Sequence, residues 1–211
     1  MKKYISKFHY LTQDLPHRSH VEQTAIACKA GANWIQYRCL SKPDAELVEE
    51  INQVASICDD WGATLILTKH FHLLDQVDAQ GVHLEDMQAD FIKIRETISN
   101  EKTLGASANT FEDIQRIYSS GAVDYIGCGP FSTTNTKRND YPLLGINGYA
   151  ERIVKMKERE IEIPVLAVGG INIEDTEQLL KTGIHGIAVS ASVNLADEPA
   201  EAFKGFYKKI Y

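Results

Sequence analysis

Eight short apolar runs recur along the chain, each followed by an amphipathic stretch, at a spacing of roughly 20 to 30 residues. The runs are HYLT (9–12), WIQY (34–37), TLILT (64–68), GVHL (81–84), TLGAS (103–107), DYIGC (124–128), PVLAVGG (164–170) and GIAVS (186–190). Helical periodicity fills the intervals at 19–31, 43–61, 70–76, 88–99, 110–120, 147–159, 173–183 and 199–210. TFED marks one helix start, with Thr110 as N-cap and Asp113 three residues on. Strands this short and this apolar have no wet face, as parallel strands covered by helices require. The alternation therefore predicts an α/β fold, a (β/α)8 TIM barrel, with a doubly wound open sheet as the alternative. No Pro-, Gly- or Ser-rich linker divides residues 1–211, which read as a single barrel domain.

The 211 residues suffice for one sizeable core and would be cramped as two domains. With 22 Lys+Arg against 29 Asp+Glu the formal charge is −7, and no basic run exceeds a Lys pair, which argues against a nucleic-acid partner. An anionic substrate must then be held by a local positive site rather than by the overall field. The N-terminus lacks a signal-type apolar segment and no stretch approaches membrane-spanning length, so a soluble cytoplasmic protein is expected. The cysteines Cys28, Cys39, Cys58 and Cys128 are widely spaced without C-x-x-C, suggesting neither a zinc site nor a disulfide frame. Cys28 and Cys58 fall in core patterns, whereas Cys39 and Cys128 follow strands, where facing a site is open to them. The sequence leaves the oligomeric state, a homo-oligomer included, undecided.

In a barrel the active site lies at the C-terminal strand ends. Those ends present Gln36 and Arg38, Thr68 and Lys69, His83 and Glu85, Ser107, then Thr134, Thr136 and Lys137, Gly169 and Gly170, and Ser190. The stretch GPFSTTNTK (129–137) packs small hydroxyls, an asparagine and a lysine behind the sixth strand, a composition suited to a phosphate but on its own more typical of an ordinary polar loop. It opens the longest non-periodic segment, 128–146. AVGGI (167–171) puts two glycines at a strand-to-helix turn where backbone N–H groups can approach an anion. Arg38 reads either as an oxyanion clamp or as an ion pair with the acidic helix DAELVEE. Gln36 interrupts an apolar run, so if inward it must be hydrogen-bonded to a neighbour or a ligand. His83 fits a satisfied core histidine better than a base, and the His70–His72 pair alone is a weak metal signal.

WIQYR, DAQGVHL, LGASANT, VDYIGCGPFSTTNTK, LLGINGY, IPVLAVGGI and GIHGIAVSAS occur in an order and spacing that resemble the thiamine phosphate synthase family over nearly the whole chain. The resemblance implies a (β/α)8 barrel that joins hydroxymethylpyrimidine diphosphate to a thiazole phosphate, releasing pyrophosphate with Mg²⁺ assistance. By the same resemblance Gln36 and Arg38 contact the pyrimidine diphosphate and Ser107 and Lys137 the pyrophosphate, while Thr68, at the end of the third strand, is a further substrate-binding candidate. Arg38, Ser107 and Lys137 would be the catalytic set. Thr134 and Thr136 would lie on the thiazole phosphate, with Gly170 and the Val189–Ser190 backbone completing that pocket, and Asn135 and Gly169 are further substrate-binding candidates. Small phosphorylated substrates, with no nucleic acid and no membrane, are the partners implied.

Three positions depart from the family pattern. Leu40 stands for a diphosphate-binding lysine, Lys69 for the first metal-binding aspartate and Gln88 for the second. No intact metal site is expected, Glu85 and Asp86 being the remaining carboxylate candidates. The related thiazole tautomerases, or a non-catalytic binder of thiazole or thiamine phosphate, are the alternatives. Pro130 stands where those tautomerases carry a histidine.

Overall fold

A computed structural model describes residues 3–133 and 141–211. Thr134, Asn135, Thr136 and Lys137 lie outside the described residues. The eight runs form strands β1 (Phe8–Leu11), β2 (Trp34–Tyr37), β3 (Thr64–Thr68), β4 (Gly81–Leu84), β5 (Thr103–Ala108), β6 (Tyr125–Cys128), β7 (Val165–Val168) and β8 (Gly186–Val189). Each pairs in parallel with the next, and β8 returns to β1 through Phe8↔Ile187 and Tyr10↔Val189, closing the barrel. The helices are α1 (His20–Lys29), α2 (Asp44–Trp61), α3 (Phe91–Ile98), α4 (Phe111–Ser119), α5 (Gly145–Glu158), α6 (Thr176–Lys181), α7 (Ala191–Asn194) and α8 (Pro199–Ile210).

Strand alternation divides the core in two. Outward residues such as Ile35, Leu65, Leu67, Val82, Leu104, Ile126 and Ile187 pack against the helices in the larger cluster. Inward residues Trp34, Ile66, Tyr125 and Leu166, joined by Ile5, fill the barrel's lower half as a separate cluster. Gly105 makes that possible, because a Cβ there would overlap the Tyr125 ring. Parity also corrects one expectation: Cys39 and Cys128 do not face the site. They are buried in the outer cluster beside Cys28 and Cys58, because the inward positions belong to Arg38 and Gly127.

Local chemistry sets the helix ends. Thr110 accepts the Asp113 N–H while the Asp113 carboxylate accepts the Thr110 N–H, the expected capping box, and Ser19 and Glu22 form another on α1. Two boundaries differ from the periodicity, and one helix is additional. The pattern at 70–76 yields only a one-turn 3₁₀ helix, Phe71–Leu73, with no side-chain cap, because the His70 N–H turns back onto Thr68 and the Phe71 N–H onto Lys69. The pattern at 88–99 starts late, at Phe91, where Asp90 caps the Lys93 N–H. The four-residue α7 was not anticipated. Among the described residues no helix is long and apolar enough to cross a membrane.

Candidate active site at the barrel mouth

The inward residues of successive strands rise from the aromatic floor into a cleft of about 430 Å³ at the C-terminal mouth. His9 stacks on Trp34 with centroids 4.4 Å apart and meets Tyr125 edge-on at 5.0 Å. Burial first, then neighbouring His83 and His185, holds the His9 pKa well below the usual imidazole range. Burial, assisted by Asp124, pushes the Tyr125 phenol well above its ordinary value. The floor is thus uncharged at neutral pH.

Polar groups lie one layer higher. Gln36 Nε2 donates to Thr68 Oγ1 at 2.9 Å, satisfying the amide that interrupts β2. His83 is held on both sides, Nδ1 at 3.1 Å from the Tyr125 hydroxyl and Nε2 at 3.0 Å from Ser107 Oγ. That is the satisfied histidine expected, and it also lines the cleft. Arg38 does not pair with the α2 acids. Its Nε donates to Glu85 Oε1 at 3.0 Å, and Lys69 Nζ lies 3.4 Å from Glu85 Oε2. Arg38 and Glu85 are mostly enclosed while Lys69 is half exposed at the rim.

Across the cleft, the glycine turn meets the chain leaving β6 at Phe131–Thr133. The Phe131 N–H donates to Val168 O at 2.8 Å and the Ser132 N–H to Gly169 O at 3.0 Å, so the chain leaving β6 runs along the end of β7. Gly169 and Gly170 have φ of 89° and 68°, and a Cβ on Gly170 would lie 2.5 Å from Thr133 O. α5 secures this corner through the Tyr149 hydroxyl, which donates to Cys128 O at 2.6 Å. Val189 and Ser190 complete the wall, and Ser190 Oγ donates to Gln13 Oε1 at 2.8 Å.

The cleft therefore gathers Gln36, Arg38, Ser107, Gly169, Gly170, Val189 and Ser190 from strand ends far apart in sequence. Thr68 reaches it only through Gln36, and Leu40 and Gln88 are exposed outside it. Asn109, whose Nδ2 donates to Gly129 O, also lines the cleft and was missed. The period of two through Gly105, Ser107 and Asn109 carried the signal.

Among the described residues, the mouth offers no ligand set that fits a divalent cation. Mg²⁺ requires oxygen ligands in near-octahedral array, and Glu85 already balances two cations. Asp86 instead accepts the Gln88 N–H at 2.8 Å in its own turn and does not line the cleft. Among the described residues, the His/Cys/Asp/Glu groups close enough to share an ion are Asp14–His20–Cys39 and Asp44–His70–His72, neither of which lines the cleft. Asp44 gives the His70–His72 pair a carboxylate, at 3.3 Å and 2.6 Å.

An aromatic floor, a cationic side and a glycine-lined side define a (β/α)8 barrel suited to a heterocyclic ligand bearing anionic groups. Residues 10–193 match the family described as Thiamine monophosphate synthase, and the chain belongs to that family. It is 38% identical over 186 residues to the thiamine-phosphate synthase of Phocaeicola vulgatus, covering 88% of this chain and 89% of that one. It is likewise 38% identical over 208 residues to the thiamine-phosphate synthase of Flavobacterium johnsoniae, covering 98% and 97%. Among solved structures, thiamine phosphate pyrophosphorylase from Pyrococcus furiosus superimposes with a TM-score of 0.83 at 26% identity, covering 97% of this chain and 95% of that one.

Proposed function

We propose that this chain is a transferase that joins hydroxymethylpyrimidine diphosphate to thiazole phosphate, acting on small phosphorylated substrates in the cytoplasm. The observation that carries the reading is the convergence of Gln36, Arg38, Ser107, Gly169 and Gly170 on one cleft in a chain of this family. The C–O bond of the pyrimidine methylene breaks and pyrophosphate leaves with the electron pair. The thiazole nitrogen lone pair then forms the C–N bond to the methylene cation. The protein supplies position and charge rather than a nucleophile.

Gln36 addresses the pyrimidine, with Thr68 orienting its amide. Arg38, Ser107 and Lys137 meet the diphosphate and neutralise the leaving group. Gly169, Gly170, Val189 and Ser190, with Thr134, Asn135 and Thr136, hold the thiazole phosphate. The Mg²⁺ associated with the family has no fitting carboxylate set among the described residues of the mouth.

The test is a coupling assay with both substrates, with and without Mg²⁺, following thiamine phosphate and pyrophosphate. Product that depends on Lys137, lost in Lys137→Ala, is expected. Absence of product under every condition, with thiazole phosphate still bound, would overturn the transferase reading in favour of a tautomerase or a binder.

A further inference from the structure

Lys69 occupies an unusual backbone. Its φ is 72°, and among the described non-glycine residues only Ser99 and Glu160 share a positive φ. Those two lie just past the C-termini of α3 and α5, where residues of positive φ commonly end a helix. Lys69 instead ends a strand, its N–H held by His83 O at 3.0 Å. Such conformations are disfavoured for a long side chain and concentrate at ligand sites. Here the result is an ammonium on Glu85 Oε2 at 3.4 Å, while Arg38 holds Oε1 at 3.0 Å.

Glu85 thus fastens cations from the ends of β2 and β3 to its two oxygens and cancels only one of their charges. Arg38 uses Nε on Glu85, and among the described residues its terminal nitrogens have no hydrogen-bond acceptor. The half-exposed Lys69 ammonium, held among the described residues by one loose contact, likewise retains N–H donors for a ligand. Donors of this kind bind phosphate oxygens directly, and two like charges beside the carboxylate oppose a divalent cation there.

We infer that Arg38 and Lys69, positioned by Glu85, form a metal-independent site for a diphosphate-type anion, with Lys69 taking the place of the divalent cation. The identity of the anion rests on the transferase reading; the metal independence rests on the charge cluster itself. Lys69 is a contact residue and Glu85 a positioning residue.

The probe is inorganic pyrophosphate, titrated calorimetrically into the full chain in EDTA and again in excess Mg²⁺. Wild-type affinity is expected to agree within about twofold between the two buffers, a difference well under 1 kcal/mol. Lys69→Asn removes the charge while keeping a residue tolerant of positive φ, and should weaken binding about tenfold in both buffers. Glu85→Gln should lose part of the affinity and steepen its salt dependence, since the two cations are no longer fixed together. Binding that vanishes in EDTA and returns with Mg²⁺ would overturn the inference, and this arm needs no variant. An unchanged affinity in a folded Lys69→Asn chain, or no pyrophosphate binding in either buffer, would overturn it equally. Metal-free pyrophosphate binding without product in the coupling assay would instead sink the transferase reading and leave this site standing.

Discussion

Gln36 Nε2 donates to Thr68 Oγ1 across 2.9 Å, and both side chains are buried in the barrel wall below the mouth. The bond links adjacent strands at the height where the cleft begins. Thr68→Val keeps the shape and removes the acceptor, leaving a buried amide donor unpaired at a cost of about 1–3 kcal/mol. Adding Gln36→Met removes the orphaned group as well, so the double variant should unfold at higher urea than the sum of the single changes allows. Additive losses would show that the pair is not coupled.

Gly170 is a tight point of the opposite wall. Alanine there meets a left-handed φ of 68° and a carbonyl, Thr133 O, 2.5 Å from the new Cβ. The backbone conformation alone costs about 1–2 kcal/mol. The contact forces the β6 loop off the turn, so Gly170→Ala should lose stability by at least that amount. It should also weaken binding of inorganic phosphate. A variant with wild-type urea midpoint and phosphate affinity would mean that the loop and turn do not act together.

The strands were legible because inward and outward positions are both apolar along most of each run, a pattern that only a doubly covered parallel strand needs. Gln36 and Ser107 were legible for the opposite reason, as polar residues at inward positions of such runs. The partner of Arg38 was not, because Glu85 lies 47 residues away and the nearer acids of α2 were equally plausible in sequence. The side on which Cys39 and Cys128 lie follows only when strand parity is carried past the apolar run, which turns both outward. The 3₁₀ turn at Phe71–Leu73 was read as a longer helix because Leu73, Leu74 and Val77 are buried at helix-like spacing in a segment that only turns.

Burial of the thiols has a chemical consequence. All four cysteines are free and enclosed, and burial pushes the Cys128 thiol up to about 12 despite the opposing pull of Arg152. Alkylation proceeds through the exposed thiolate. Native protein at pH 8 should therefore take up iodoacetamide far more slowly than protein in urea, where all four sites react. Fast modification of one thiol in the native state, located by mass spectrometry, would show that its strand end opens.

His9 makes stability depend on pH in a direction that its environment fixes. Enclosed against Trp34 and Tyr125, with His83 and His185 as charged neighbours when protonated, it stays neutral in the fold. In the unfolded chain its pKa returns to about 6.5, so below that pH the unfolded state binds the extra proton. The stabilisation is complete above about pH 6.5 and is lost as the pH falls towards the depressed folded-state value, at up to ~1.4 kcal/mol per pH unit from this group. Urea midpoints should decline between pH 7.5 and pH 5. His9→Phe retains an aromatic ring on Trp34 without a titrating proton, so its decline should be shallower. Equal slopes for the two proteins would assign the acid sensitivity to another group.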